Sequence, residues 1–429
     1  MTSWEEADWE PSMANLPRRE RRSGTYRRFL PAELLGAPLV LDPEVDALLA
    51  RAETAVRKVA GSSRDLAGIA RFLLRSEAIA SSKIEGIAPA TGKVALAELG
   101  QGDDAIKGYS DQARLVANNM TVVRHATGRL IESEVVTVDD IVDLHRALLP
   151  DEGRHHGLRT QQNWIGGSDF HPLEAAFVPP APERVPDLME DLARYLSGAS
   201  HAPLVQAALV HAQFETIHPF TDGNGRVGRA LIHTVLARRG LTEQAVLPIS
   251  LVLATRRDDY IRGLGDFRGL GLARESGATA GPARWVSTFA EAAIAASEQA
   301  ARIAAELGEL REQWERQLTE SRRAGGAQRA LRRDSASARI LADLPGIPVL
   351  TPRTVREMYG ISPGAARTAL DDLTAAGILV ERAAGPGVRV HMADDVLDLV
   401  TWAERRLASP GFDTITSPPD RGGLPARPV

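Results

Sequence analysis

His218-Pro219-Phe220-Thr221-Asp222-Gly223-Asn224-Gly225-Arg226-Val227-Gly228-Arg229 is the stretch that decides the reading of this 429-residue chain. An apolar helical pattern, Leu204 to Phe214, leads into it. Pro219 disfavours helical geometry in the residue before it, so the helix ends at His218. Gly223-Asn224-Gly225 reaches backbone conformations closed to most residues. Successive N–H groups in such a turn form an anion-binding nest. A second helical pattern starts at Arg226, and its N-terminus points N–H groups and a positive dipole end into the same loop. Arg226 and Arg229 lie three apart and share one helical face. Two cations in a first turn are unfavourable unless an anion sits between them. Asp222 adds a hard oxygen suited to Mg2+, and His218 can take a proton near neutral pH. Taken singly, each residue has an ordinary explanation: a helix cap, a turn, a solvated arginine face. Together, within twelve residues, they equip a loop for attack by an acceptor hydroxyl on a nucleotide phosphate.

Outward from that stretch, composition bounds the rest. Apolar residues make up 44% of the chain, enough for packed cores, and the length suits two to three domains. The formal net charge of -5 argues against a protein that coats nucleic acid. There is no cysteine, which excludes disulfides, thiolate metal sites and thiol catalysis and fits a reducing, cytoplasmic setting. The N-terminus lacks the apolar core of a secretory signal, and no apolar run is long enough to span a membrane.

The fold expected is mainly α. Apolar residues recur at helical spacing from Asp42 to Val59 (Val45, Leu48, Leu49, Ala52, Val56) and from Asp65 to about Ser82, with Gly86 as a stop. Helical patterning fills Asp104 to Pro150, Pro186 to Leu196 and Ala202 to Thr216, and one long helix is expected over 283–320. Gly157 to Pro182 stands apart. Its Gly166-Gly167 pair beside Trp164-Ile165 and Phe177-Val178 suggests a short hairpin or an ordered loop. Residues 1–30, with the cluster Arg18-Arg19-Glu20-Arg21-Arg22, read as a polar arm. Arg322 to Gly326 reads as a linker, and Ser409 to Val429, rich in proline and glycine, as a disordered tail.

The catalytic stretch resembles the Fic family motif, His-Pro-Phe-x-Asp-Gly-Asn-Gly-Arg-x-x-Arg, with every specified position filled. Arg159, Gln162-Asn163-Trp164-Ile165-Gly166 and Phe177-Val178-Pro179-Pro180 are similar to the family's flap, a β-hairpin over 157–182 that aligns a target segment by strand pairing. The resemblance implies an N-terminal extension over 1–100 and a Fic helical core over 101–320; composition and patterning beyond them suggest a linker over 321–334, a winged helix-turn-helix over 335–405 and a disordered tail over 406–429. It also implies the transfer of AMP from ATP onto Tyr, Ser or Thr hydroxyls of proteins. His218 would be the base and Asp222 the Mg2+ ligand. Thr221, Gly223, Asn224, Gly225, Arg226 and Arg229 would bind the phosphates. The kinase-like branch of the family carries lysine where Gly225 stands, so glycine favours AMP transfer over phosphate transfer. Arg256-Arg257-Asp258-Asp259-Tyr260 resembles the family's Asn-Arg-x-x-Tyr-Tyr, with Arg256 and Ile261 departing from it, and makes Tyr260 a nucleoside contact.

Ser81-x-x-x-Glu85-Gly86, on a helix over about 65–86, matches the family's inhibitory pattern. It implies that Glu85 competes with the γ-phosphate for Arg229. Removal of AMP by a water that Glu85 orients stays open, as do self-modification and a homodimer. The stretch 335–400 has N-caps at Thr351 and Ser362, stops at Gly360 and Gly377, and strands around Gly385-Pro386-Gly387. Its winged-helix pattern suggests DNA. Six arginines against eight acidic residues over 336–400, with no lysine, tilt it towards a protein-docking or dimer-forming module. Two other functions fit parts of the chain: a DNA-binding transcriptional regulator whose core senses nucleotide, and a metal-dependent hydrolase using His211 and His218. The missing His-Glu-x-x-His pattern makes the second remote.

Overall fold

A computed structural model describes residues 2–11, 16–37, 39–62, 67–242, 246–269, 280–326, 332 and 334–408. The linker reading falls partly on 327–331 and 333 and the tail reading mostly on 409–429, outside the described residues; where they are described, both are corrected, because residues up to Ala324 and residues 406–408 are helical. In chain order the elements are β1 (Ser3–Trp9), β2 (Gly24–Leu30), α1 (Pro43–Ser62), α2 (Ala67–Ile84), α3 (Thr91–Gly100), α4 (Asp111–Thr127), α5 (Arg129–Glu132), α6 (Val138–Leu148), α7 (Val185–Ser197), α8 (Pro203–Ile217), α9 (Asn224–Arg238), α10 (Ile249–Thr255), α11 (Arg257–Phe267), α12 (Ala280–Ala324), α13 (Ala336–Asp343), β3 (Val349–Leu350), α14 (Pro352–Tyr359), α15 (Pro363–Ala375), β4 (Val380–Gly385), β5 (Val388–Met392) and α16 (Asp394–Ala408). The protein is mainly α, as its patterning predicts. No described helix is long and apolar enough to cross a membrane.

Two compact units divide the chain, one drawn from 1–53, 122–243 and 258–291, the other from 54–121, 244–257 and 292–429. The first is built round α8 and α9. Every residue of α8 from Leu204 to Ile217 is buried, which is why this helix is apolar on all sides rather than striped. Pro203 stands at its first position, where a missing N–H costs nothing. Two of its buried polar side chains bond to neighbouring segments: Gln206 donates to the Tyr195 carbonyl at 2.7 Å and Gln213 to the Ala32 carbonyl at 2.8 Å. In α9, Thr234 donates to the Ala126 carbonyl at 3.0 Å. α6 starts with a capping box between Thr137 and Asp140.

The polar arm expected at the N-terminus is instead an antiparallel pair. β1 and β2 run in register from Ser3 opposite Leu30 to Trp9 opposite Gly24. Glu5 meets Arg28 at 3.0 Å, and Trp4 packs edge-on against Phe29 with ring centroids 5.2 Å apart. Cross-strand charge and aromatic pairs of this kind stabilise a two-stranded sheet, and the Phe29 N–H ties it to the Val178 carbonyl at 2.9 Å. The hairpin expected within 157–182 is smaller than predicted. It reduces to one antiparallel bridge, Ile165 to Phe177. Gly166 and Gly167 both take positive φ, and Pro172, Pro179 and Pro180 have no N–H to extend a ladder.

In the second unit, α2 is gripped by ion pairs, one of them buried. The Arg75 guanidinium meets Glu98 at 2.8 Å and donates to the Gly346 carbonyl at 2.8 Å. Burial pushes the Glu98 carboxyl up, but Arg75 and Arg71 outweigh it and hold it below the usual range. Lys83 meets Glu404 on α16 at 2.7 Å. From α13 onward the order is helix, strand, two helices and two strands, with β5 central between β3 and β4. Thr351 and Ser362 cap α14 and α15 through their hydroxyls, and Gly360 and Gly377 take positive φ at the stops. Val349, Ala384, Val390 and Met392 pack on Ala95, Leu96 and Ile106, so α3 and its following loop complete this core.

Candidate active site

The junction between α8 and α9 follows from local sequence. The His218 N–H still donates to the Phe214 carbonyl at 2.8 Å, but its backbone turns left-handed at φ 50° and ψ 61°. Among the described residues it is the only non-glycine with positive φ. Such a conformation costs about 1–3 kcal/mol and persists only where its surroundings fix it. Asn224 clasps the loop from inside: its Oδ1 accepts from the Phe220 N–H and its Nδ2 donates to the Phe220 carbonyl, both at 2.8 Å. Gly223 stands at the N-cap of α9 with φ 78°, and no side chain caps that helix. A Cβ on Gly223 would lie 2.8 Å from Leu148 Cδ2. Gly223→Ala therefore meets both a backbone penalty and a clash, and is expected to cost about 2–3 kcal/mol of stability. A denaturant midpoint equal to wild type would refute that account.

Side chains outside the motif hold it. The His145 ring stacks on Phe220 at 4.0 Å, and its Nε2 lies 3.0 Å from the Asp222 carbonyl. Burial pushes its pKa down to about 4, so it is neutral at pH 7, and the carbonyl partner assigns the proton to Nε2. His155 Nδ1 lies 2.7 Å from the Thr221 hydroxyl. Arg159, 3% exposed, donates to the His218 carbonyl of the motif and to the Pro180 carbonyl of the 157–182 segment. Burial lowers its pKa to about 10, against the opposing pull of Glu183, and it stays charged at neutral pH. The Asp222 carboxylate is 56% exposed and lies 3.7 Å from Arg226 Nη2, while Arg226 and Arg229 are both buried. An exposed carboxylate, an uncapped helix N-terminus and two buried guanidiniums thus accompany His218 in one loop and helix start. That set can bind phosphate oxygens and a hard cation and can accept a proton.

His211 does not join them. Its Nε2 lies 2.9 Å from the Tyr260 hydroxyl, its ring stacks on Tyr260, and burial, then the Arg229 charge, push its pKa down to about 3. Tyr260, 5% exposed, sits with Trp285 in this cluster, whose indole donates to the Ala208 carbonyl at 2.7 Å. Gly228 lets the helices close: a Cβ there would lie 2.9 Å from Phe214 and 3.0 Å from Glu215 Oε1. Arg268 lies 3.9 Å over the Phe177 ring and donates to Thr216 Oγ1 at 3.1 Å. His145, Gly228 and Arg268 carry no local sequence signal, because each acts on residues distant in the chain or on a neighbouring helix.

Ser81 and Glu85 belong to the second unit. Ser81 is buried within α2, and Glu85 is exposed just beyond its end. Gly86 takes φ 79°, and its N–H donates to the Lys83 carbonyl at 3.0 Å, closing the helix where the sequence predicts.

Residues 135–236, which contain α6 to most of α9, match the model of the Fic/DOC family. The chain is 32% identical over 146 residues to protein adenylyltransferase fic-1 of Caenorhabditis elegans, covering 32% of this chain and 26% of that relative. It is 33% identical over 144 residues to protein adenylyltransferase Fic of Drosophila ananassae, covering 27% of that relative. The chain thus spans about a quarter of the length of these curated relatives. A Fic family protein from Desulfovibrio desulfuricans G20 aligns over 83% of this chain and 97% of its own, at 21% identity and a TM-score of 0.49. Residues 135–236, with the loop that holds His218, form a Fic/DOC-family domain.

Proposed function

We propose that this protein is an adenylyltransferase that moves AMP from ATP to Tyr, Ser or Thr hydroxyls of protein targets. The observation that carries the reading is the left-handed His218 turn joined through Asp222 to the uncapped N-terminus of α9. In the proposed step His218 takes the proton of the acceptor hydroxyl. The hydroxyl oxygen bonds to the α-phosphorus, the bond to the α,β-bridging oxygen breaks, and pyrophosphate leaves with the electron pair. The N–H groups of Gly223, Asn224 and Gly225 hold phosphate oxygens, Thr221 flanks them, and Arg226 and Arg229 neutralise their charge. Tyr260, fixed by His211, is proposed to wall the nucleoside side.

Asp222 fits Mg2+ because its carboxylate is half exposed beside the proposed phosphate site, and Mg2+ commonly takes one or two carboxylates plus phosphate oxygens. When bound, the ion supplies charge neutralisation on the phosphates. Asp222→Ala is expected to weaken Mg·ATP binding about tenfold or more without unfolding the protein. Equal affinity by calorimetry would remove Asp222 from this role.

The test of the function is incubation with ATP labelled at the α- or the γ-phosphate in a cell lysate, followed by mass spectrometry. Transfer of the α-label as AMP on hydroxyl side chains supports the reading, and transfer of the γ-label overturns it. The same assay reports whether the chain modifies itself. From the Ser81-x-x-x-Glu85-Gly86 pattern we further propose that Glu85 restrains transfer by competing for Arg229.

Residues 335–405 are proposed to form a winged helix that docks protein, a second copy included, rather than DNA. The exposed positions of α15 include Gly364, Ala365, Arg367, Thr368 and Asp371, with one cation and one anion among them. Arg382 pairs with Asp394 at 2.7 Å and Arg353 with Glu357 at 3.0 Å. DNA readers neutralise several phosphates, and arginines paired in this way offer little for that. A cytoplasmic setting is proposed from the absence of cysteine.

A further inference from the structure

We propose that Arg159 is a positioning residue that sets the catalytic turn and couples it to the flap base. The inference rests on the assignment of His218 as the base. The last carbonyls of a helix have no partner inside it, and α8 ends in the left-handed His218. Arg159 supplies partners for two of those carbonyls. Its Nε donates to the His218 carbonyl at 2.9 Å and its Nη2 to the Ile217 carbonyl at 3.3 Å. The same Nη2 donates to the Pro180 carbonyl at 2.6 Å, and Nη1 to the Gln161 carbonyl at 3.1 Å. The Arg159 N–H itself donates to the Pro219 carbonyl at 2.8 Å. One buried guanidinium therefore joins the end of α8, the His218 turn and both arms of the 157–182 segment.

Neighbours extend the clamp. Asn163 Nδ2 donates to the Phe220 carbonyl at 3.0 Å and to the His218 carbonyl at 3.3 Å. Gln162 Nε2 donates to the Pro179 carbonyl at 3.0 Å. Every bond from Arg159 goes to a main-chain oxygen, so it reads the path of the backbone rather than any side chain. Its side chain reaches four of those oxygens from a rigid planar fork. An ammonium at the same place is a single point with three donors and cannot span that set. A target segment that pulls on Pro179-Pro180 would move the same guanidinium that holds the His218 carbonyl. Docking on the flap and alignment of the base are thereby linked mechanically.

The test compares wild type, Arg159→Ala, Arg159→Lys and His218→Ala in the full chain. Steady-state AMP transfer, ATP affinity by calorimetry, thermal melting and NMR of His218 are measured for each. A displacement of the base of order 1 Å is expected to lower kcat about a hundredfold in Arg159→Ala. ATP affinity should stay within about threefold, because the phosphate-binding groups lie in α9. Arg159→Lys should not restore kcat, whereas added guanidinium should restore part of it in Arg159→Ala. The His218 imidazole signals, assigned by their absence from His218→Ala, should shift in Arg159→Ala while those of His391 stay put. The proposal is overturned if kcat in Arg159→Ala stays within about threefold of wild type, since positioning effects of this kind are larger. It is also overturned if ATP affinity and melting collapse together with kcat, or if the His218 signals do not move. Wild-type transfer by His218→Ala would instead sink the assignment of the base.

Discussion

His218→Ala is expected to lose AMP transfer by roughly three orders of magnitude while keeping its affinity for ATP. General-base catalysis contributes about 10²–10⁴-fold. Asp222 is proposed for charge neutralisation, and His145 is buried and pushed down to about 4, so neither replaces His218 in this scheme. ATP binding survives because the proposed phosphate contacts come from Gly223 to Arg229. Position 218 has a second demand, its left-handed backbone at φ 50°. Alanine bears a penalty of about 1–2 kcal/mol there, so part of any loss in that variant could come from a relaxed loop. Asparagine adopts this conformation readily but cannot act as a base near neutral pH. His218→Asn is therefore expected to melt like wild type and to be as inactive as His218→Ala. If His218→Asn transfers AMP at a tenth of the wild-type rate or more, the proton goes elsewhere and the mechanism is wrong.

How much of this was legible in the sequence depended on how local each signal is. The α8–α9 junction was legible because Pro219, Gly223 and Asn224 act on their own backbones. So were the ends of α14 and α15, where Thr351, Ser362, Gly360 and Gly377 cap or stop a helix within four residues. The β1–β2 pair was not. Ser-Trp-Glu-Glu-Ala-Asp-Trp reads as polar until Arg27, Arg28 and Phe29 stand opposite it, and a register between strands that far apart has no local mark. The flap failed in the other direction: aromatic and glycine residues suggested a hairpin, yet prolines on its return arm leave one bridge. The motif residues of the candidate site could be read from the sequence, but the frame that holds them could not. His145 and Arg159 reach the loop from 77 and 59 residues away, and neither has a spacing that announces this.

Glu85→Gly is expected to raise AMP transfer by roughly ten- to a hundredfold, the kinetic equivalent of removing a competing interaction of ~1–3 kcal/mol. Its basis is the Ser81-x-x-x-Glu85-Gly86 pattern, and its proposed rival for Glu85 is the γ-phosphate at Arg229. The substitution is cheap for the fold. Position 85 lies beyond the last residue of α2, so glycine there does not weaken a helix interior. The helix itself is kept by groups that stay untouched: Arg75 on Glu98 and on the Gly346 carbonyl, and Lys83 on Glu404. A gain in activity would thus report release of a restraint rather than loosening of the protein, and unchanged melting would confirm it. Self-modification should rise most, because the chain's own hydroxyls are at high local concentration. Arg229→Ala in the same background should cancel the gain, since the partner for the γ-phosphate is then gone. Arg229 is buried, so that variant also needs its melting measured beside it. The plain alternative is an exposed, solvated glutamate whose loss changes transfer by less than about twofold. Label incorporation in wild type, Glu85→Gly and the double variant separates the two. A Glu85→Gly protein no faster than wild type would end the proposed restraint and leave the roles of His218 and Asp222 standing.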